Sequence, residues 1–225
     1  MESPLTKAEL IQKIEAHENV SKVDTSEIID MSQLFCIEGG VQRVENFNQP
    51  LNDWDVSNVE NMEEMFSGAR SFNQPLNDWD VSKVDNMGYM FCRARSFNQP
   101  LNDWDVSNVD HMCFMFLGAK SFNHPLNRWD VSKVVTMMRM FLHAEKFNQS
   151  LNDWNISNVI NMNGMFNGAR SYTHSMKKWN LNPSCNTYEF LKDCNLWHLF
   201  NTVEDLPMKN GERIDVGDRK IWKVL

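Results

Sequence analysis

The strongest constraint on this chain is that it repeats. Phe47-Asn48-Gln49-Pro50-Leu51-Asn52-Asp53-Trp54-Asp55-Val56-Ser57 returns at Phe72 and Phe97 almost unchanged, in softer copies at Phe122 and Phe147, and in a degenerate copy at Tyr172. The period is 25 residues without insertion, and Trp54, Trp79, Trp104, Trp129, Trp154 and Trp179 mark it. A unit this short cannot bury its own apolar side chains, so it must stack on its neighbours around a continuous core.

Two spacings appear inside a unit. Trp54 and Val56 alternate with Asp53, Asp55 and Ser57, which predicts a short strand with one buried face. From Val59 the apolar residues come every three or four positions through Met62, Met65, Phe66 and Ala69, which predicts a short helix. Ser57 with Glu60 resembles a capping box, and Gly68, Gly118 and Gly168 stand where such helices could stop. The expectation is therefore an α/β repeat solenoid of leucine-rich-repeat-like coils, each a short parallel strand plus a short helix. Residues 1–23 are expected as an N-terminal helical cap, opened by Thr6-Lys7-Ala8-Glu9 and carrying Leu10, Ile11 and Ile14. The solenoid is expected over 24–194, with a degenerate first unit at 24–46, a longer loop containing Gly39-Gly40, and units starting at 47, 72, 97, 122, 147 and 172. Residues 195–225, with Trp197, Leu199, Phe200, an Asn210-Gly211 turn and Ile221-Trp222, are expected as a non-repeating C-terminal cap.

The formal net charge is −8 and the pI about 5.2, which argues against nucleic acid or an anionic membrane as the main partner. No apolar stretch is long enough to span a bilayer, and the N-terminus has no basic region followed by an apolar core. Cys36, Cys92, Cys113, Cys185 and Cys194 follow neither a disulfide framework nor a zinc-ligand spacing. Reduced thiols and an intracellular, cytoplasmic setting are expected.

The string F-N-Q-P-L-N-D-W-D-V-S-N-V-x-N-M-x-x-M-F-x-G-A resembles the BspA-like leucine-rich repeat family, in particular the 25-residue repeat of mycoplasma surface lipoproteins. The resemblance covers Asp24 to Cys194. Thr6 to Leu10, Asp24-Thr25-Ser26 and Met31 to Phe35 look like intracellular or large-DNA-virus members. The resemblance implies a leucine-rich-repeat-like solenoid with a binding role. Bacterial members are typically exported and adhere to host proteins, whereas this chain shows neither a signal peptide nor a lipid-attachment cysteine.

The acidic columns are the first candidate site. Alternation places Asp53, Asp78, Asp103 and Asp153 outside, with Asp55, Asp80, Asp105 and Asp130 in a second column beside them. Stacked like charges repel, so either a basic partner or cations use them, or the Asp55 column bonds backbone N–H groups in the turn before Ser57. Arg128 interrupts the Asp53 column, which suits a protein surface better than a metal array. Asn48, Asn73, Asn98, Asn123 and Asn148 are expected as an internal ladder satisfying backbone groups. A basic column of Arg70, Arg95, Lys120 and Arg170 is expected to complement helix ends. Secondary candidates lie where units diverge: Tyr89, Arg93, Phe114, Arg128, Arg139 and His143.

No nucleophile, general-base or phosphate-cradling constellation is visible. The expected function is a non-enzymatic protein–protein interaction scaffold, monomeric or weakly self-associating. It would use no cofactor or metal and bind a protein partner, basic in character, through the acidic face. Two alternatives stand beside it: a structural component of a virion or cytoskeletal layer, and a calcium- or glycan-binding surface.

Overall fold

The structure, a computed structural model, describes residues 3–37, 41–42, 46–194, 208–209 and 212–213. Among them the one α-helix is α1 (Lys7–Glu15), and regular strand is confined to β1 (Cys36–Ile37), β2 (Val41–Gln42), β3 (Asn180–Leu181), β4 (Met208–Lys209) and β5 (Glu212–Arg213). No helix among the described residues is long and apolar enough to cross a membrane.

This corrects the expected α/β solenoid. The segments read as strand (53–57) and as helix (59–69) are both built from turns. The N–H of Trp54 bonds the carbonyl of Leu51 at 3.0 Å, Val59 that of Val56 at 2.9 Å, Met65 that of Met62 at 3.2 Å, Ala69 that of Phe66 at 3.0 Å and Phe72 that of Ala69 at 3.2 Å. Each closes a four-residue turn, and the residues at both ends are buried. A spacing of three is therefore the distance between turn ends, and it imitates a helical period. Alternation about Trp54 and Val56 arises because Trp54 ends one turn and Val56, two residues on, begins the next. Ser57 caps no helix, the glycines stop none, and the basic column has no helix dipole to complement; Lys120 pairs instead with Glu145 at 2.8 Å.

Cohesion comes from bonds between units. The N–H groups of Met62, Glu64, Phe66 and Gly68 donate to the carbonyls of Asn86, Gly88, Met90 and Cys92 one unit on, at 2.9, 2.8, 2.9 and 2.7 Å. Repetition of this pattern makes a ladder along one side, called here the ladder face. One residue per unit completes a parallel bridge, through Asp30, Asn61, Asn86, His111, Thr136, Asn161 and Asn186. The first step of that series is longer than the others, and the antiparallel pair β1–β2 lies within the extra length.

Inside, each side chain stacks on its equivalent. Phe66, Phe91, Phe116, Phe141 and Phe166 follow one another at ring separations of 5.5–5.6 Å. Phe72, Phe97, Phe122, Phe147 and Tyr172 do so at 6.0–6.1 Å. At one end Thr6 and Glu9 form a reciprocal capping box for α1, which buries Leu10 and Ile14 in the same core. At the other end β3 pairs with β4 in parallel and β4 with β5 antiparallel. Gly39-Gly40, Trp197, Leu199, Phe200, Asn210-Gly211 and Ile221-Trp222 lie outside the described residues.

Candidate functional site

The turn chain disposes of much of the acidic surface. Oδ1 of Asp55 accepts the Ser57 N–H at 3.0 Å and hydroxyl at 2.7 Å. Asp80, Asp105 and Asp130 accept from the N–H of Ser82, Ser107 and Ser132 at 3.1, 3.0 and 3.0 Å. These are Asx turns, so this column works in the backbone. The outer column is also engaged. Asp53 pairs with Lys22, Asp103 with Arg128 at 2.5 Å and Asp153 with Lys178 at 2.5 Å, while Asp78 accepts from Asn52 and Asn77. Among the described residues no group of three or more His, Cys, Asp or Glu is placed to hold a metal ion.

The asparagine ladder exists, but on the surface. Oδ1 of Asn48 accepts from the N–H of Asn73 at 2.9 Å, and the bond recurs from Asn73 to Asn98, Asn123, Asn148 and Thr173. These side chains are exposed or half-exposed, because the carbonyl needs to reach only the next unit's backbone and not the core.

The secondary candidates fare differently. Five of the six, all but Arg128, have left-handed backbone on the ladder face: Tyr89 (φ 56), Arg93 (57), Phe114 (59), Arg139 (53) and His143 (56). They fall in two columns. One runs Gln33, Glu64, Tyr89, Phe114, Arg139, Gly164, Glu189, and the other Gly68, Arg93, Gly118, His143, Gly168, Asp193; every member has positive φ. The alternating amide bonds to the next unit hold the backbone in that conformation at these two positions of each unit.

The first column builds a stack. The rings of Tyr89 and Phe114 lie 4.3 Å apart at 9°, and the Arg139 guanidinium sits over Phe114 at 5.8 Å. Beyond it, a Cβ on Gly164 would meet Cγ of Arg139 at 3.3 Å, so the arginine stem covers that glycine. In the second column Arg93 lies over Gly118, and His143 so fully over Gly168 that a Cβ there would stand 2.2 Å from Nδ1. Glycine recurs at every second position of this column, and at Gly168 the predecessor's side chain leaves no room for a Cβ.

The electrostatics are local. Burial, then the neighbouring Glu63 carboxylate, raises the Glu64 carboxyl above the usual range, and burial raises the Tyr89 phenol. At the far end Glu189 is held low by Lys192, which bonds it at 2.7 Å. Beside the stack a surface column opens on exposed Ile29, turns acidic at Glu60, Asp85 and Asp110 and aliphatic again at Val135 and Ile160; Val135, Ile160 and, in a different column, Tyr188 are 36%, 47% and 67% exposed. Sequence reasoning missed these three and Glu64. The available signal was that switch from acid to aliphatic residue at one repeat position, together with glycine recurring in every second unit at another.

The family described as "Mycoplasma protein of unknown function, DUF285" matches residues 6–116 and again residues 100–199. No curated protein and no solved structure matches the chain.

Proposed function

The chain belongs to this DUF285 family, and from that premise we propose that it is a non-enzymatic scaffold that binds a partner protein through its ladder face. One observation carries the reading. The fold demands left-handed backbone at two positions of every unit, and glycine meets that demand without strain, as at Gly68, Gly118, Gly164 and Gly168. A residue with a Cβ costs about 1–2 kcal/mol there. Tyr89 and Phe114 recover part of that by stacking, roughly 0.5–1.5 kcal/mol; Arg93 and His143 lie over glycine. Stability does not account for these side chains, whereas a binding role does, since strained residues collect at functional sites and Tyr and Arg dominate binding hot spots.

The acidic columns then serve long-range steering and solubility, with their local geometry committed to turns and ion pairs. The five cysteines are free, which suits a reducing, intracellular setting. The finer kinship with BspA-like repeats rests on the Phe47–Ser57 string and supports a binding role of the same kind. We place the protein as a monomer or weak self-associator.

Affinity capture from lysate of the native cell tests this. It compares the wild type, a ladder-face variant (Tyr89→Ser with Arg139→Ser), and an acidic-face variant (Asp53, Asp78 and Asp103→Lys), each confirmed as folded. A partner retained by the acidic-face variant and lost by the ladder-face variant is expected. The reverse pattern overturns the assignment, and recovery of the chain alone in all three arms points to a structural assembly.

A further inference from the structure

We infer that the ladder face receives a short acidic segment of its partner, with carboxylates on Arg93, Arg95 and Arg139 and an aromatic side chain against the Tyr89–Phe114 stack. The inference rests on the reading above and adds the chemistry of the occupant. In a chain of net charge −8, cations commonly sit on carboxylates of their own: Lys7 on Asp30, Lys22 on Asp53, Lys120 on Glu145, Arg128 on Asp103 and Lys178 on Asp153. Among the described residues Arg93, Arg95 and Arg139 form no ion pair. Arg93 and Arg95 belong to the unit that holds Tyr89, and Arg139 to the unit after the one that holds Phe114. Arg139 is moreover held over Phe114, so its fork is already oriented and loses little freedom on meeting a carboxylate.

The length of the segment follows from what bounds the stretch. Glu64 stands before Tyr89 in the column and Glu189 beyond Arg139, while Glu60, Asp85 and Asp110 line the side of the stack opposite Arg93; all would repel an acidic chain, so its carboxylates lie on the Arg93 side. The stretch between Glu64 and Glu189 runs from Tyr89 to Gly164, three unit steps, on the order of 14 Å at a strand-like spacing, or about four extended residues. A planar fork recognises carboxylate two-pronged, and an aromatic face accepts a second ring. Nucleic acid shares the anion but carries its charge along its whole length, so it meets more of the chain's net negative charge than a short segment does.

The test measures binding of fluorescently labelled polymers to the full chain by polarisation. The probes are a glutamate–tyrosine copolymer, polyglutamate, a lysine–tyrosine copolymer and oligothymidylate. The glutamate–tyrosine copolymer should bind best. Arg93→Glu with Arg139→Glu should weaken it at least about tenfold; both changes keep a Cβ at a left-handed position and so add no backbone strain. Arg139→Lys should give an intermediate loss. Polyglutamate binding equally well removes the aromatic part of the proposal, and oligothymidylate binding as well or better replaces the peptide by nucleic acid. Preference for the lysine–tyrosine copolymer, lost on Tyr89→Ser, overturns the acidic partner while leaving the ladder face in place. Binding lost only with Asp53, Asp78 and Asp103→Lys, or no binding by any probe, overturns this proposal. The lysate capture then decides separately whether the ladder face is used at all.

Discussion

The indole N–H of Trp104 donates to the carbonyl oxygen of Leu76 at 2.9 Å, one unit back along the stack. The same bond joins Trp79 to Leu51, Trp129 to Leu101, Trp154 to Leu126 and Trp179 to Leu151. In the first unit Trp54 reaches Val20 instead. The tryptophans therefore mark the period for a reason beyond their bulk: from Trp79 on, each ties its unit to the previous one by a second bond to a carbonyl that already closes a turn, as the Leu76 carbonyl does with the Trp79 N–H at 3.3 Å. Trp104→Phe keeps most of the apolar volume and removes one of the two bonds to the Leu76 carbonyl, so it should cost about 0.5–1.5 kcal/mol. Urea unfolding checks this, and an unchanged midpoint would mean that the turn bond from Trp79 alone satisfies that carbonyl.

Tyr172 offers the opposite case. It ends the phenylalanine column, fully buried, and its hydroxyl has no hydrogen-bond partner among the described residues. Tyr172→Phe restores the residue used at Phe147 and removes a desolvated hydroxyl, so stability should rise by about 1 kcal/mol or more. A fall in the thermal midpoint would show that the hydroxyl does find a partner.

The pH dependence should contain two opposed contributions. The hydroxyl of Ser82 and then its N–H hold Asp80 below the usual carboxylate range, and Ser132 does the same for Asp130. Their contribution is present above the unfolded carboxylate range near 4 and is lost as pH falls through the lower folded values. Glu64 runs the other way: its folded pKa is raised, so its contribution is full at acid pH and lost as pH rises through that value. Glu64→Gln should therefore stabilise at neutral pH, with the gain vanishing under acid conditions. Equal gains at both pH values would mean that charge is not the cause.

His143 and Gly168 should be thermodynamically coupled. Gly168→Ala adds a Cβ to a residue at φ +69 and drives it into the imidazole of His143. The backbone part should cost about 1–2 kcal/mol whatever lies above it, while the steric part should disappear when His143 is shortened. Gly168→Ala should therefore cost less in a His143→Ala background than alone, and additive effects would place the imidazole elsewhere.

Much of this was legible in the chain, and the misreadings share one cause. The period, the buried Trp and Phe columns and the first unit's register all follow from which residues recur. The type of element did not follow, because buried residues at Met62, Met65 and Ala69 satisfy the three-residue spacing of turn ends and of a helical face alike. The same ambiguity made Ser57 look like a cap when it closes an Asx turn on Asp55. The divergence of Tyr89, Arg93, Phe114, Arg139 and His143 was plain in the repeat. Their shared left-handed backbone was not, since single residues with a Cβ give no sign of positive φ.

Arg93 allows stability and binding to be separated. Its side chain lies over Gly118, with Cγ 3.6 Å from where a Cβ would stand, and its backbone sits at φ 57. Arg93→Gly relieves about 1–2 kcal/mol of left-handed strain and gives back roughly 0.4–1 kcal/mol through the freer unfolded chain. A net gain of about 0.5–1 kcal/mol is expected. If the side chain is retained for binding, the stabilised variant should also be the weaker binder, a trade-off typical of sites kept at the expense of stability. Chemical unfolding and polarisation on the same samples decide it. A variant both less stable and unimpaired in binding would show that Arg93 is there for the fold, and would remove the main reason for placing the working surface on the ladder face.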